Sequence, residues 1–198
     1  ISDGVLLGFI NKLNLPNYGE FYEERYFNRG FEEPVWVDFF DNVVPMGANI
    51  LFECTNFQGL TIAGEICEDL WVANPPSVSH AIAGANVIIN ASASNDIVGK
   101  KAYRDLLISN QSKKLICSYI YANAGEGEST QDLVFGGQGI IAENGKILAE
   151  SNRFKNDAVR IEIDINRLNL ERRKQTTFKT CDDEGYFKAE FELDIEEL

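Results

Sequence analysis

Short apolar runs broken by turn residues constrain this chain more than any other feature. Val5 to Ile10, Ile50 to Glu53, Leu60 to Cys67, Ala85 to Ala91, Leu115 to Ala122, Leu133 to Ala142, Ile147 to Glu150 and Ala158 to Ile165 all have strand length and strand composition. So many strands exclude a helical bundle. Between the Ala85 and Leu115 runs, Lys100 to Ser112 places apolar residues near helical spacing, and a shorter helix is expected around Ser79 to Gly84. Strands alternating with helices predict layered α/β packing. Glu143-Asn144-Gly145-Lys146 predicts a tight turn between two antiparallel strands, so the sheet is expected to be mixed.

The 198 residues, 44% of them hydrophobic, suffice for one domain with a core of its own. After Ile165 the composition changes. Asn166 to Lys174 is basic and helix-capable, and the acidic stretch from Asp182 carries scattered aromatics. The expected division is residues 1–165 as the body and 166–198 as a linker or C-terminal arm, packed on the body, reaching a partner, or solvated.

A net charge of −13 repels polyanions, which argues against nucleic acid and anionic membranes as partners. No apolar run approaches the roughly 20 residues of a membrane span. Cys54, Cys67, Cys117 and Cys181 are widely spaced, with His80 the single histidine. That set predicts neither a zinc site nor a disulfide framework, and fits a soluble protein of the reducing cytoplasm. The chain opens at Ile1 inside an apparent strand, so an upstream segment is expected.

Cys67 stands in Gly64-Glu65-Ile66-Cys67-Glu68-Asp69-Leu70-Trp71, where a strand meets a polar segment able to turn. A thiol there is held rigidly, and a neighbouring cation or helix-terminal amides favour its thiolate. The bland alternative, a buried packing cysteine, is the commoner case and is kept for Cys54, Cys117 and Cys181. His80 follows Cys67 without a clear third partner, so a Cys/His mechanism is weak and a structural role is expected. Lys12, after the first strand, is the candidate cation, although a lone lysine is usually just solvated. Glu65 and Glu68 flank the thiol but, on a strand end, are expected to point away from its face. Ser92, Ser94 and Asn95 end another strand, where they bind an amino-acid head group or cap the next helix.

Lys12 with LPNYGEFYE, then GEICEDLW, NASASNDIVGKKAYR and YANAGEGESTQDLVFGGQGIIAENGKILAES, occur in the order of a known family. The chain resembles the glutaminase domains of glutamine-dependent NAD synthetases, within the nitrilase (carbon–nitrogen hydrolase) superfamily. The likeness covers most of residues 10–178, including Arg172, Arg173 and Phe178. It implies an αββα sandwich, here incomplete at its N-terminus, and a Glu-Lys-Cys triad. Carried over, Cys67 matches the nucleophile and Lys12 the triad lysine. Tyr18 and Glu23 match the glutamine pocket and a supporting second glutamate, Ser94 a substrate-contacting serine, and Lys100 a basic residue near the substrate. The backbone amide of Glu68 is implied beside the oxyanion.

The family's general-base glutamate precedes its lysine strand, and Asp3 is the only acid before Lys12. The resemblance thus implies a chain inactive on its own. Asn11 also stands where the family commonly has proline. No Ser-Gly-Gly-x-Asp-Ser loop occurs, so ATP, magnesium and nicotinic acid adenine dinucleotide are expected only at a separate synthetase domain of the parent chain. Glutamine is the implied substrate, no metal is implied for its hydrolysis, and homo-oligomers are implied. The rivals are a stand-alone amidase of the same superfamily and a catalytically silent interaction module.

Overall fold

The computed structural model describes residues 1–128, 132–179 and 182–194. Ten strands and three α-helices follow in order: β1 Phe9–Ile10, β2 Val35–Phe39, β3 Asn42–Gly47, β4 Ile50–Cys54, β5 Thr61–Ile66, α1 Pro76–Ile82, β6 Val87–Ser92, α2 Lys100–Leu115, β7 Ser118–Asn123, β8 Gly139–Glu143, β9 Lys146–Glu150, α3 Ile165–Lys174 and β10 Phe187–Phe191. They form a seven-stranded sheet in the order β10-β4-β5-β6-β7-β8-β9 and a three-stranded sheet β1-β3-β2. The large sheet is mixed. β5, β6 and β7 run parallel at its centre, and β8 and β9 continue it antiparallel.

Strand alternation sends the two faces of that sheet to different partners. On one face Ala63, Ile88, Tyr119, Tyr121 and Ile140 meet Ala81 of α1 and Ile108 and Leu115 of α2 in the main core. On the other, Val87, Ile62 and Ile120 meet Ile163, Ile165 and Leu168. Gly64 lets Ile10 of β1 pack closely there, since a Cβ at Gly64 would lie 3.3 Å from Ile10 Cγ1.

Several expected elements differ. The run Ala158 to Ile165 is no strand. Asp164 instead accepts the Arg167 N–H at 2.9 Å, capping α3, which starts at Ile165. Leu133 to Ala142 shortens to β8, because Gly136-Gly137 interrupts it and Gly137 has φ +65°. Val5 to Ile10 shortens to β1 behind a Ser2–Val5 turn and Gly8. β2 and β3 were not expected: β2 is mostly exposed and shows no in-out alternation, and Pro45 sits inside β3.

The described part of residues 166–198 is not a solvated arm. α3 buries Leu168 and Arg172, and β10 pairs parallel with β4 as the edge of the large sheet. The Glu143–Lys146 turn forms as expected, with Asn144 and Gly145 both at positive φ. Cys54 and Cys117 are buried and free, and Cys181 lies outside the described residues.

Candidate active site

The three parallel strands at the sheet's centre end on the same edge, the place where open α/β sheets hold ligands. β5 delivers Ile66 and Cys67, β6 delivers Ser92 and Ala93, and β7 delivers Asn123 and Ala124. All six residues line one cavity of about 700 Å³. Lys12 and Glu23 complete its wall.

Cys67 opens a 3₁₀ turn, Cys67–Leu70, with φ +49°, a left-handed conformation uncommon for a side chain larger than glycine. The turn replaces the strand end expected from the sequence and changes where its neighbours point. Glu65 faces the core on β5, where Tyr119 donates to its Oε1 and the Ser77 N–H donates to its Oε2 at 2.8 Å. Burial raises the Glu65 pKa against those hydrogen bonds. Glu68, contrary to the strand-end reading, lies on the site's side: its Oε1 accepts the Tyr18 hydroxyl at 2.8 Å. Burial raises the Glu68 pKa, opposed by the Tyr18 hydrogen bond and then by the positive charges of Lys12 and Lys100. Burial, followed by the Glu68 hydrogen bond, pushes the Tyr18 phenol up to about 12.

Lys12 sits on the loop after β1, its Nζ 2.5 Å from Glu23 Oε2. Its backbone carbonyl accepts the Gly30 N–H at 2.8 Å. Glu23 begins a 3₁₀ turn, Glu23–Arg25, whose first N–H returns to the Pro16 carbonyl at 3.2 Å. Glu23 is thereby paired with the Lys12 ammonium at the cavity wall.

Lys100 opens α2 behind Gly99, at φ +84°. Its ammonium donates to Asn95 and lies 5.0 Å from the Trp71 ring centroid and 5.9 Å from that of Phe21. Burial and then the charge of Arg104 lower its pKa, while Cys67, Glu20 and Glu68 act the other way. Tyr18, Glu68 and Lys100 thus form a second group beside the thiol. Ser94 is placed otherwise. It is buried, its N–H donates to Asn123 Oδ1 at 2.8 Å and its carbonyl accepts from Asn123 Nδ2 at 2.9 Å, so it braces the floor while Ser92 and Ala93 line the cavity.

Sequence reading missed Asn90. Its Oδ1 accepts the Cys67 N–H at 3.2 Å and the Ser92 hydroxyl at 2.6 Å, and its Nδ2 donates to Tyr119 at 3.2 Å. A relay of buried polar groups therefore runs from the thiol's own backbone to Glu65. The available signal was a lone amide inside the apolar run Val87 to Ala91. His80 is fully buried in α1, its Nδ1 2.8 Å from the Tyr186 hydroxyl, a structural position. Among the described residues no group of three or more His, Cys, Asp and Glu is placed to hold a metal ion, and no helix is long and apolar enough to cross a membrane.

No family model matches the chain. It is similar to the glutamine-dependent NAD(+) synthetase of Mycobacterium leprae, 42% identical over 180 residues that make up 90% of this chain and 26% of that protein. With the Aquifex aeolicus glutamine-dependent NAD(+) synthetase it shares 30% identity over 166 residues, 83% of this chain and 26% of that protein. The chain thus spans about a quarter of the length of the curated relatives it matches. Among solved structures, the glutamine-dependent NAD(+) synthetase from Cytophaga hutchinsonii superposes with a TM-score of 0.65 at 30% identity, covering 76% of this chain and 24% of that one. A carbon-nitrogen hydrolase from Helicobacter pylori shares the fold, with a TM-score of 0.61 at 19% identity over 83% of this chain and 54% of its own.

Proposed function

The chain belongs to the glutamine-dependent NAD(+) synthetase family, as its nitrilase-like part, and from that premise we propose that it is the portion of a glutamine amidohydrolase that carries the nucleophile and the oxyanion lysine. One observation carries the reading. Lys12 and Cys67, 55 positions apart in sequence, line the same cavity at the carboxyl edge of the parallel strands, and Glu23 holds the ammonium there.

The Cys67 thiolate attacks the side-chain carboxamide carbon of glutamine, forming a C–S bond. The oxyanion that develops is stabilised by the Lys12 ammonium and by the Glu68 backbone amide at the start of the turn. As the C–N bond breaks, the carboxylate that took the thiol's proton returns it to the departing amine, and ammonia leaves behind a thioester. Water attacks the thioester carbon, a carboxylate accepts its proton, and glutamate leaves with the thiolate restored. The resemblance assigns that carboxylate to a segment ahead of the lysine strand, whereas Glu23 is committed to Lys12. Tyr18, Glu68 and Lys100 supply the opposite charges and hydroxyl that an amino-acid head group requires. Ammonia is then used at a separate synthetase domain, where ATP, magnesium and nicotinic acid adenine dinucleotide belong. Assembly of the parent into homo-oligomers and its placement in the cytoplasm complete the proposal.

The test is peptide-resolved mass spectrometry after exposure to an electrophilic glutamine analogue, with free glutamine as competitor. Labelling of Cys67 ahead of Cys54 and Cys117, reduced by glutamine, is expected. Labelling spread over all three, or indifferent to glutamine, overturns the reading and favours the silent module.

A further inference from the structure

Asp69 lies two positions after Cys67 and is fully buried inside the 3₁₀ turn, outside the cavity wall. Its Oδ2 accepts the Ile66 N–H at 3.0 Å, capping the turn that presents the thiol. Its Oδ1 accepts two donors from Asn14, the backbone N–H at 2.9 Å and the side-chain Nδ2 at 2.8 Å. Asn14 stands two positions after Lys12. One carboxylate therefore fastens the loop carrying the lysine to the turn carrying the nucleophile, and it does so at the same 55-residue separation as the pair it serves.

We infer that Asp69 is a positioning residue that sets Lys12 against Cys67, acting on the chemistry through the lysine loop rather than by touching the substrate. The inference rests on the glutaminase reading, because it assigns the lysine a part in stabilising charge at the thiol. All three partners of Asp69 are N–H donors, so the position needs a group that only accepts. An asparagine of the same shape turns a donor toward a donor whichever way its amide is rotated, leaving a buried N–H unpaired. Lys12 itself is otherwise held from the 23–30 segment, by Glu23 on Nζ and Gly30 on its carbonyl, and the loop's other link to the nucleophile's turn, Tyr18 to Glu68, is an exposed side-chain pair six positions from the lysine. Asp69 is thus the buried link from the turn that reaches the loop nearest to the lysine, two positions away. It follows that its loss acts only while the lysine is present.

The experiment is a double-mutant cycle between Asp69→Asn and Lys12→Met. The readout is the rate of Cys67 alkylation by iodoacetamide at pH 7.5, followed peptide by peptide, with far-UV circular dichroism as the check of folding. Lys12→Met is expected to slow Cys67 by about ten-fold, and Asp69→Asn by about ten-fold in the wild-type background, since small misplacements of a positioned group cost that much or more. In the Lys12→Met background Asp69→Asn is expected to change nothing beyond about two-fold. Asn14→Ala leaves the cap on Ile66 in place and is expected to slow Cys67 in the same direction. A purely structural Asp69 predicts equal slowing in both backgrounds, and that result overturns the inference. If Asp69→Asn fails to fold, Asn14→Ala decides, and an unchanged rate overturns the inference. Where Lys12→Met slows Cys67 but neither partner of the clamp does, the clamp is refuted and the glutaminase reading stands. Where Lys12→Met itself has no effect and glutamine gives no protection, the glutaminase reading falls and the inference falls with it.

Discussion

His80 sets the acid limit of this fold. It is the single histidine of the chain, fully buried against the main core, and burial lowers its pKa from 6.5 to about 4. In the unfolded chain the ring takes up its proton near pH 6.5, whereas the native chain refuses it until about pH 4. Protonation therefore favours the unfolded state between those values. The contribution is fully present above pH 6.5 and is lost as the pH falls toward 4. Integrated over that window, the stability lost is on the order of 1 kcal/mol by pH 5.5 and about 2–3 kcal/mol by pH 4.5. Buried Glu65 has a raised pKa and works in the opposite sense, gaining a proton in the native state first as the pH falls. The histidine is therefore isolated by comparison with His80→Gln, which keeps Glu65 unchanged. Urea unfolding followed by the fluorescence of Trp36 and Trp71 at pH 7.0, 5.5 and 4.5 gives the free energies by linear extrapolation. The wild-type curve is expected to fall relative to His80→Gln by the amounts above. A gap between the two that stays constant from pH 7.0 to 4.5 refutes the assignment.

Two further substitutions probe the frame and the loop separately. Arg172 donates to the backbone carbonyls of Ala85 at 2.7 Å, Leu115 at 2.9 Å, Ile116 at 3.0 Å and Gly84 at 3.4 Å, at the end of α2 and just beyond the ends of α1 and α2. Arg172→Met is expected to cost about 3 kcal/mol or more in urea unfolding, because charge-assisted bonds are lost and buried carbonyls are orphaned. Arg172→Lys should recover less than half of that, as one ammonium cannot replace the fork, and full recovery would show that charge alone matters. At Gly30 an added Cβ would lie 2.6 Å from the Lys12 carbonyl oxygen and 2.7 Å from Asn11 Cγ. Gly30→Ala is expected to cost about 1–3 kcal/mol and to slow analogue labelling of Cys67, while unchanged labelling would mean that the loop absorbs the methyl group without moving the lysine.

The central frame was legible from the sequence because β5, β6 and β7 are largely apolar runs of strand length bounded by turn residues. α2 was legible from its spacing, and the β8–β9 turn from Asn144-Gly145. The failures have physical causes. β2 lies with most of its residues exposed, so burial imposes no alternation for a reader to find. β10 is written Phe-Lys-Ala-Glu-Phe, and its charges suggest a solvated tail until the edge position beside β4 explains them. Ala158 to Ile165 has strand composition but no strand to pair with, and Asp164 turns it into a helix start. At the site, Cys67 and Lys12 were candidates from their places after strands, but their pairing and the part of Glu23 came from the family resemblance, since nothing in their spacing alone brings a loop lysine to a strand end. Asn90 and Asp69 act by holding backbone amides, and a polar residue with that task carries no spacing signal.

The two halves of the site are supported in different ways, and the difference separates their mutational signatures. The thiol hangs from the sheet: its N–H is held by Asn90, which leads through Tyr119 to Glu65 in the main core. Damage along that relay orphans buried polar groups beneath a cooperative core, so stability and reactivity should fall together. The lysine is held by Glu23, Gly30 and, through Asn14, Asp69. Apart from buried Asp69, these contacts lie on loops around half-buried groups, where little of the folding free energy resides. A change confined to that loop, such as Asn14→Ala, should therefore lower Cys67 reactivity while leaving the unfolding midpoint nearly where it was. The division also locates the chemistry's weakest support. The nucleophile's position is dictated by the frame, whereas the cation's position depends on a few hydrogen bonds made by its loop, and Asp69 accepts two that cross from loop to turn, both from Asn14.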